Sequence, residues 1–458
     1  MKDEVIMSAT ENKMGVLPIK KLIITMSLPM MASMLVQALY NVVDSIFVAR
    51  IDEAALTAVT LAFPLQNFMI ALGSGTGVGM NALLSRSLGE KKFDRSDAAA
   101  NTTILLTLMN YLVFFIIGVF FVEPFIRTQT NDPLIIEYAV QYLRIICLCS
   151  VGLFFQMTFE RMLQSTGRTV FSMASQMTGA VINIIFDPIM IFGLCGFPRM
   201  GVTGAAVATV LGQIVGSSVG LFCNLKKNPD INIRPKLIFS PKADIVKEIY
   251  YVGVPSILMM SIGSIMTYAM NLILIGFSTT AAAVFGVYFK LQSFFFMPIF
   301  GLNNGLIPVL AYNFGAGYKK RIEDALRFTI TLAVGIMVAG ALSFQILPKV
   351  LLALFNASAE MDVIGVPALR IISLSFPIAG ICIALGSVFQ AFSESIYSLI
   401  VSVGRQLVVL IPVAWLLSLT GNVSAVWWAF PIAEIASLGL STVFFKKVYS
   451  KKVAPLND

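Results

Sequence analysis

The sequence predicts an all-α integral membrane protein with twelve transmembrane helices in two six-helix lobes, related by a pseudo-twofold axis along the membrane normal. Composition indicates the membrane class, because 57% of the residues are hydrophobic and only 12% are charged, with a mean hydropathy of +0.86. A soluble domain usually has about 25% charged residues. The two-lobe arrangement follows from an internal repeat.

The repeat consists of identical residues at a constant separation. Pro29 and Pro255 are 226 residues apart (255 − 29), and the segment 143–146, Leu-Arg-Ile-Ile, recurs at 369–372. The same offset relates Gln66 to Gln292, Gly75 to Gly301, Gly79 to Gly305, Gly89 to Gly315 and Gln164 to Gln390. Two copies with an even number of helices each enter the membrane from the same side, which predicts parallel repeats.

The twelve helices are placed on the long apolar stretches, since about 20 apolar residues span the hydrocarbon core. The predicted spans are 22–48, 54–83, 98–122, 134–159, 169–192, 203–225, 246–276, 280–312, 325–347, 364–390, 396–419 and 422–445. The polar stretch between the copies contains Pro229, Pro235 and Pro241 and reads as a linker. We therefore assign 1–225 to the N-terminal lobe, 226–247 to a cytoplasmic linker and 248–458 to the C-terminal lobe. The glycines of the segments 88–92 and 314–317 are expected to end helices by accepting positive φ.

The net charge of +8 is explained by topology. Lysine and arginine cluster at 91–95, 226–236, 319–321 and 446–452, which all fall on one side of the predicted spans. The positive-inside rule assigns this side to the cytoplasm, so that both termini are cytoplasmic in a multi-pass cell-membrane protein. A topology rule accounts for the charge, and we expect no nucleic-acid partner.

The residues that are absent exclude several kinds of chemistry. There is no histidine, which excludes an imidazole zinc site and a Ser-His-Asp triad. No Gly-rich loop ending in Lys-Ser or Lys-Thr is present, so ATP is not the direct energy source of this chain. The five cysteines are an odd number and do not indicate a disulfide framework. We expect neither an enzyme nor a bound cofactor.

Three carboxylates are expected well inside the spans: Asp44, Asp187 and Glu434. An ionisable group at mid-membrane costs about 2.5–3.5 kcal/mol on insertion scales, so a functional role is the default hypothesis. The second copy holds Met270 at the position that corresponds to Asp44. The buried charge is therefore less symmetric than the scaffold.

Asp44 belongs to a polar stripe near the end of helix 1. Gln37, Asn41 and Asp44 follow one another at spacings of four and three, and Tyr40 lies four residues before Asp44. Residues at these spacings share one face of an α-helix. We expect Asn41 to belong to a cation site with Asp44, and Gln37 and Tyr40 to line a substrate cavity beside it.

Helices 5 and 6 supply the matching groups Asn183, Asp187 and Thr209. At about 1.5 Å per residue, these side chains and Asp44 fall at a similar depth in the outer half of the membrane. Carboxylate, amide and hydroxyl oxygens suit a small cation such as Na⁺, and two neighbouring carboxylates also suit a proton carrier. The alternative is that each aspartate only bonds to neighbouring helices.

The second copy carries a different set of candidates. Lys290 in helix 8 takes the place of Pro64, and Gln66 and Gln292 lie beside these two positions at equivalent depth. Lys290 could neutralise a substrate anion or pair with a carboxylate. Met260 and Met266 could line an adaptable apolar cavity, with lipid-facing packing as the alternative.

Arg405 and Glu434 are expected to form an ion pair. Counting from the ends of helices 11 and 12, both lie roughly 11–15 Å from the cytoplasmic edge. A pair at that depth is interpreted as structural, because a lone buried charge is the costly state.

The sequence closely resembles the multidrug and toxic compound extrusion (MATE) family over nearly the whole chain. The segments that carry the resemblance are Leu28-Pro29, Asn41-Val42-Val43-Asp44, Asn183-Ile184-Ile185-Phe186-Asp187-Pro188, Gly204-Ala205-Ala206-Val207-Ala208-Thr209, Leu88-Gly89-Glu90 and Tyr312-Asn313-Phe314-Gly315-Ala316. The resemblance implies an exporter of amphipathic, often cationic compounds, driven by sodium ions or protons. It also implies a cation site at Asp44, Asn183, Asp187 and Thr209, as in the branch that lacks second-lobe carboxylates.

Two other functions remain as alternatives. A flippase for a lipid-linked saccharide of the same superfamily would need more cationic groups in the lumen than Lys290 and Arg405. A channel would need a continuous polar pore, which the aromatic content does not favour. For the exporter we expect a monomer in contact with membrane lipid, with small amphipathic molecules as substrates.

Overall fold

The computed structural model describes residues 12–355 and 358–456, and the regular elements in these ranges are helices. Ten helices are long and apolar enough to cross a membrane, and two bent helix pairs complete twelve spans, which confirms the predicted fold class. In chain order the spans are α1 (Ile19–Ala49), α2 (Glu53–Gly89), α3 (Phe93–Phe120), α4 (Pro133–Leu148 and Val151–Ser165), α5 (Thr169–Phe192), α6 (Val202–Lys227), α7 (Ala243–Ile275), α8 (Thr279–Gly315), α9 (Lys319–Ile346), α10 (Ala359–Ser373 and Phe376–Ala391), α11 (Ser395–Ser418) and α12 (Val423–Val453). Short helices outside the spans cover Lys13–Val16, Val122–Arg127, Pro235–Ile238 and Pro348–Ala353.

The two bent spans, α4 and α10, break at equivalent places in the two copies, each by 47°. In α4 the Ser150 hydroxyl donates to the carbonyl of Cys147 at 2.8 Å, and in α10 the Ser375 hydroxyl donates to the carbonyl of Ile372 at 2.6 Å. A serine that bonds to a carbonyl of the preceding turn competes with the helix's own hydrogen bonds. Both spans were predicted as continuous helices, and the breaks correct that prediction.

The spans pack as two lobes, α1–α6 and α7–α12. Within the first lobe α5 lies along α6 and α1, and within the second α10 lies against α9 and α12. Between the lobes α1 packs against α8, and α2 packs against α7 and α8. Because the number of spans is even, α1 begins and α12 ends on the same side of the membrane. We call this the inner side and the opposite one the outer side.

The repeated glycines lie where the lobes touch. A Cβ atom at Gly79 would overlap the carbonyl oxygen of Ile249 in α7, and one at Gly305 would lie 2.8 Å from the Cα of Ser27 in α1. Gly75 and Gly301 make the same kind of contact one turn further out. Backbones can approach this closely only without a side chain, so these glycines seal the inner half of the lobe interface.

Gly89 and Gly315 belong to the same seal, at its inner end. A Cβ atom at Gly89 would overlap the carbonyl oxygen of Tyr312, and one at Gly315 would overlap that of Arg86. The predicted left-handed glycine is wrong in the segment 88–92, where Lys91 has that conformation (φ 57°), and is confirmed in the segment 314–317, where Gly317 has it (φ 78°). Close approach of α2 to α8 is the physical reason for glycine at positions 89 and 315.

The short helix Lys13–Val16 lies under both lobes at the inner side. Asn12 donates from its amide to the carbonyl of Thr166 at 2.9 Å, on the first lobe. Arg321 and Asn313 of the second lobe donate to the carbonyl of Met14, whose side chain is fully buried. This segment therefore bridges the two lobes where the glycine seal closes them.

Candidate functional site

The carboxylates predicted in the first lobe meet at one place. Asp44 of α1 and Asp187 of α5 lie side by side, close enough for a hydrogen bond between their carboxyl groups. The amide of Asn183 donates to Asp187 Oδ1 at 3.3 Å and to Thr209 Oγ1 of α6 at 3.2 Å. Asp187, Asn183 and Thr209 are buried, and Asp44 is partly buried. Three spans thus contribute oxygen atoms to one buried cluster.

Several oxygens of this cluster have no hydrogen-bond donor. Asp44 Oδ1, Asn183 Oδ1 and Asp187 Oδ2 are all buried without a partner. A buried polar atom in a native protein normally has a partner, and exceptions need an explanation. Carboxylate and amide oxygens are the ligands that hard cations prefer, and a proton shared by the two carboxyls would satisfy them in another way.

The described residues contain no cluster of three or more Cys, Asp or Glu side chains suited to a metal ion. A cation at this site would therefore bind to two carboxylates and to neutral oxygens. Such a site carries at most two negative charges, which suits a monovalent cation or a proton that must also be released.

Small residues bring α5 and α6 close enough to form the site. A Cβ atom at Gly212 would lie 2.6 Å from the carbonyl oxygen of Gly179, and one at Gly204 would lie 2.6 Å from that of Met190. This close packing of α5 on α6 places Thr209 against Asn183. The small-residue segment that begins at Gly204 thus has a direct structural role.

The other first-lobe candidates surround the carboxylates at varying distance. Tyr40 is partly buried and close enough to Asp44 and Asp187 to interact with them electrostatically. Gln37 accepts a hydrogen bond from Gln176 of α5 at 2.8 Å, which ties α1 to α5. Asn41 is exposed and forms no side-chain hydrogen bond to another described residue, so its part in the cation site stays a prediction.

The second-lobe candidates do not form a comparable cluster. Met266 is buried, whereas Met260 is 37% exposed. Lys290 is exposed and lies over the ring of Phe355 at 6.0 Å, and it forms no ion pair with any residue that the structure describes. These side chains could touch a substrate, but they do not form a cation site.

Gln66 and Gln292, which are equivalent in the repeat, each pair with a tyrosine of their own lobe. The amide of Gln66 donates to the hydroxyl of Tyr142 at 3.3 Å, and the hydroxyl of Tyr288 donates to Gln292 at 2.7 Å. The partners are not equivalent in the repeat: the Gln66 bond joins α2 to α4, whereas Tyr288 and Gln292 lie one turn apart on α8.

Arg405 and Glu434 form an ion pair inside the second lobe, with Nη1 2.8 Å from Oε1. Arg405 lies in a π-helical stretch of α11, Gly404–Leu410, which turns its side chain toward α12. The second oxygen of Glu434, Oε2, is buried without a partner. Each charge is thus neutralised by the other within one lobe.

Two buried charged residues, Glu160 and Arg161, were missed in the sequence. The prediction ended helix 4 at residue 159, but α4 continues to Ser165, so the statement that only three carboxylates lie inside the spans is wrong. The repeat itself held the signal. Helix 10 was extended to Gln390, and its counterpart Gln164 lies beyond the predicted end of helix 4.

Comparisons with known proteins match this fold. The MatE family model matches residues 29–189 and 255–416, so each match begins at one of the two repeated prolines. Among curated proteins, the multidrug export protein MepA of Staphylococcus haemolyticus is 26% identical over 435 residues, which cover 95% of this chain and 94% of that protein. MepA of Staphylococcus aureus is 24% identical over 418 residues, 91% of each chain.

Solved structures of the same fold include an outward-facing multidrug resistance MATE family transporter of the MOP superfamily. It superposes with a TM-score of 0.91 at 26% identity and covers 97% of this chain and 98% of that one. A MOP superfamily transporter from Pyrococcus furiosus superposes with a TM-score of 0.89 at 26% identity, with 96% and 97% covered. The likeness extends over both lobes.

Proposed function

Because the chain belongs to the MatE family of multidrug and toxic compound extrusion transporters, we propose that it is a secondary active exporter. It antiports amphipathic, cationic organic compounds against sodium ions or protons by alternating access. The observation that carries the proposal is the buried group of partnerless oxygens on Asp44, Asn183 and Asp187. The names of the MepA relatives, which are multidrug export proteins, support the choice of substrate.

The geometry accounts for how a cation could drive the cycle. The oxygens come from α1, α5 and α6, so a bound cation or proton draws three spans of one lobe together. Release of the cation leaves two carboxylates that repel each other, and the relative position of α1 changes. Exchange follows if the cation and the drug favour different conformations, because a ligand shifts an equilibrium only through its differential affinity.

The lobe contacts define the conformation that the structure represents. Because the glycine seal closes the inner half of the lobe interface, we infer that the space between the lobes opens toward the outer side. The positive-inside rule assigns the inner side to the cytoplasm, with both chain ends there. In this outward-facing state a drug leaves and a coupling ion enters from outside. One chain encloses the whole pathway, so that a monomer suffices.

The test is transport of a fluorescent amphipathic cation, such as ethidium, by purified protein in liposomes. Sodium and proton gradients are imposed separately, and the gradient that drives dye movement identifies the coupling ion. Asp44→Asn is expected to abolish driven transport, because it removes one of the two carboxylates. Asp94→Asn is the matched control, since Asp94 is an exposed carboxylate at the start of α3. Equal dye movement in the wild type and Asp44→Asn under both gradients overturns the proposal.

A further inference from the structure

Arg161 is a buried cation on the inner half of α4. It is 9% exposed, and it forms no ion pair in the described part of the chain. Its guanidinium donates to Gln164 Oε1 at 3.0 Å, to Asn304 Oδ1 at 3.0 Å and to Ser74 Oγ at 3.4 Å. All three acceptors are neutral, so no carboxylate hydrogen-bonds to this charge, and the adjacent Glu160 acts on it only through space.

One of these hydrogen bonds crosses between the lobes. Gln164 and Ser74 belong to α4 and α2 of the first lobe, whereas Asn304 belongs to α8 of the second. Asn304 precedes Gly305, one of the glycines at which α8 touches α1. When the lobes separate at the inner side, Arg161 keeps its first-lobe acceptors and loses Asn304.

Arg161 lies at the level of the inner seal. A Cβ atom at Gly77 would lie 2.7 Å from its Cγ, so α2 makes room for the arginine stem two residues from Gly75 and Gly79. The Cα of Arg161 is roughly 6 Å from the inner end of α4 at Ser165, because a helix rises about 1.5 Å per residue. The guanidinium therefore stands between the outward-facing space and the inner side.

The adjacent carboxylate does not contact this charge. Glu160 points into the first lobe, where its Oε1 accepts from Gln156 at 3.0 Å and from Ser175 at 3.3 Å. A buried cation without a carboxylate partner is costly to keep. In a low dielectric it also repels other cations strongly, which is how an arginine can exclude cations from a pore.

We propose that Arg161 is the inner gate of the pathway. Its hydrogen bond to Asn304 holds the lobes together at the inner side, and its guanidinium, which no carboxylate contacts, stops cations from leaking through the floor of the outward-facing cavity. The inference deepens the proposed transport function, since a leak matters only if a cation gradient drives export.

The experiment separates the hydrogen bond from the charge. Asn304→Ala removes the acceptor in the second lobe and keeps the charge, Arg161→Gln removes the charge, and Arg161→Lys keeps it in another shape. Gln164→Ala is the matched control, because it removes an acceptor of Arg161 that lies within the same lobe.

Two readouts are taken on full-length protein in liposomes without drug. The first is the distance between spin labels on the exposed inner ends of the lobes, at Lys227→Cys and Lys446→Cys in a chain without its native cysteines. The second is the passive leak of sodium ions and protons. The label distances do not depend on which compound is exported, so failure of the gate and failure of the proposed function are distinguishable.

Asn304→Ala is expected to shift the lobes toward inner-open by about tenfold, the order of a hydrogen bond to a charged group, with little extra leak. Arg161→Gln is expected to shift them similarly and also to raise the cation leak severalfold, while Arg161→Lys keeps the leak low. Gln164→Ala should change neither. Wild-type label distances in Asn304→Ala, or a wild-type leak in Arg161→Gln, overturn the proposal. The Asn304 arm remains decisive if Arg161→Gln does not fold.

Discussion

The two lobes bury charge at equivalent places but leave it in different states. The repeat offset places Arg405 on Gly179 (405 − 226) and Glu434 on Ala208 (434 − 226), both within one helical turn of the first-lobe site. The second lobe neutralises its charges in an ion pair at 2.8 Å. The first lobe holds two carboxyl groups side by side, with oxygens that have no partner.

This difference separates a structural polar group from a binding one. An ion pair neutralises its buried charges as long as both members are present, even though Glu434 Oε2 has no hydrogen-bond partner among the described residues. A buried acid pair without donors is incomplete, and a cation or proton from outside can complete it. The duplicated scaffold therefore provides one lobe that responds to a cation and one that resists change.

The largest expected effect comes from breaking the first-lobe cluster. Asp187→Asn should abolish cation-driven export, because Asp187 is the fully buried member of the carboxyl pair. Its folding should stay near the wild type, since replacing one of two like-charged groups relieves repulsion. Transport and thermal unfolding are measured on the same preparation. A variant that loses export only because it unfolds would remove the contrast between the lobes.

The next largest effect is on stability and concerns the second lobe. Glu434→Gln or Arg405→Leu alone leaves one buried charge unpaired, and breaking a buried pair costs about 3–5 kcal/mol. The double variant Arg405→Leu with Glu434→Leu should recover part of this loss. Thermal unfolding and the fraction of protein that stays folded in detergent measure this recovery. Equal loss of stability in the single and double variants would falsify the structural role of the pair.

A smaller effect tests whether the two lobes contribute equally to the glycine seal, although their buried charges differ. Gly79→Ala and Gly305→Ala should each shift the protein toward an inner-open state to a similar extent, because each Cβ meets the opposite lobe. Gly286→Ala is the control, since nothing lies within 4 Å of its Cβ position. The shift toward the inner-open state is measured as the accessibility of cysteines at the inner side to a thiol reagent. Very different responses of Gly79 and Gly305 would show that the seal is not symmetric.

The features that could be predicted are those that repeat along the chain. The twelve spans and the two copies follow from hydropathy and a constant offset. Asp44, Asn183, Asp187 and Thr209 were grouped because helix rise gives depth and helix period gives face. Depth and face depend only on positions along one helix, so they can be predicted from a single sequence.

The features that were missed have local and distant causes. The breaks of α4 and α10 each coincide with a serine hydroxyl that bonds to a carbonyl three residues earlier, and serine occurs in unbroken helices as well. Gly89 is the last residue of α2, but its close contact with Tyr312 lies across the lobe interface and does not follow from the local sequence. Asn41 shares the stripe of Asp44 by spacing, and its place in the cation site stays a prediction. A helical period gives a face but not the exact direction of each side chain.

The smallest expected effect concerns Lys13, in the short helix at the inner side of the lobes. Burial, together with the nearby charge of Arg168, lowers the pKa of Lys13 from its ordinary value of 10.5. The ammonium of Lys13 holds its proton less tightly when the segment Lys13–Val16 is docked than when the segment is free. Docking should therefore strengthen as the pH rises from the lowered pKa to 10.5. Below the lowered pKa, docking should not change with pH. Lys13→Met should remove this dependence. Hydrogen exchange of residues 13–16 at several alkaline pH values measures this pH dependence, after correction for the intrinsic increase in exchange rate. Protection that falls as the pH rises would contradict the buried position of the Lys13 ammonium.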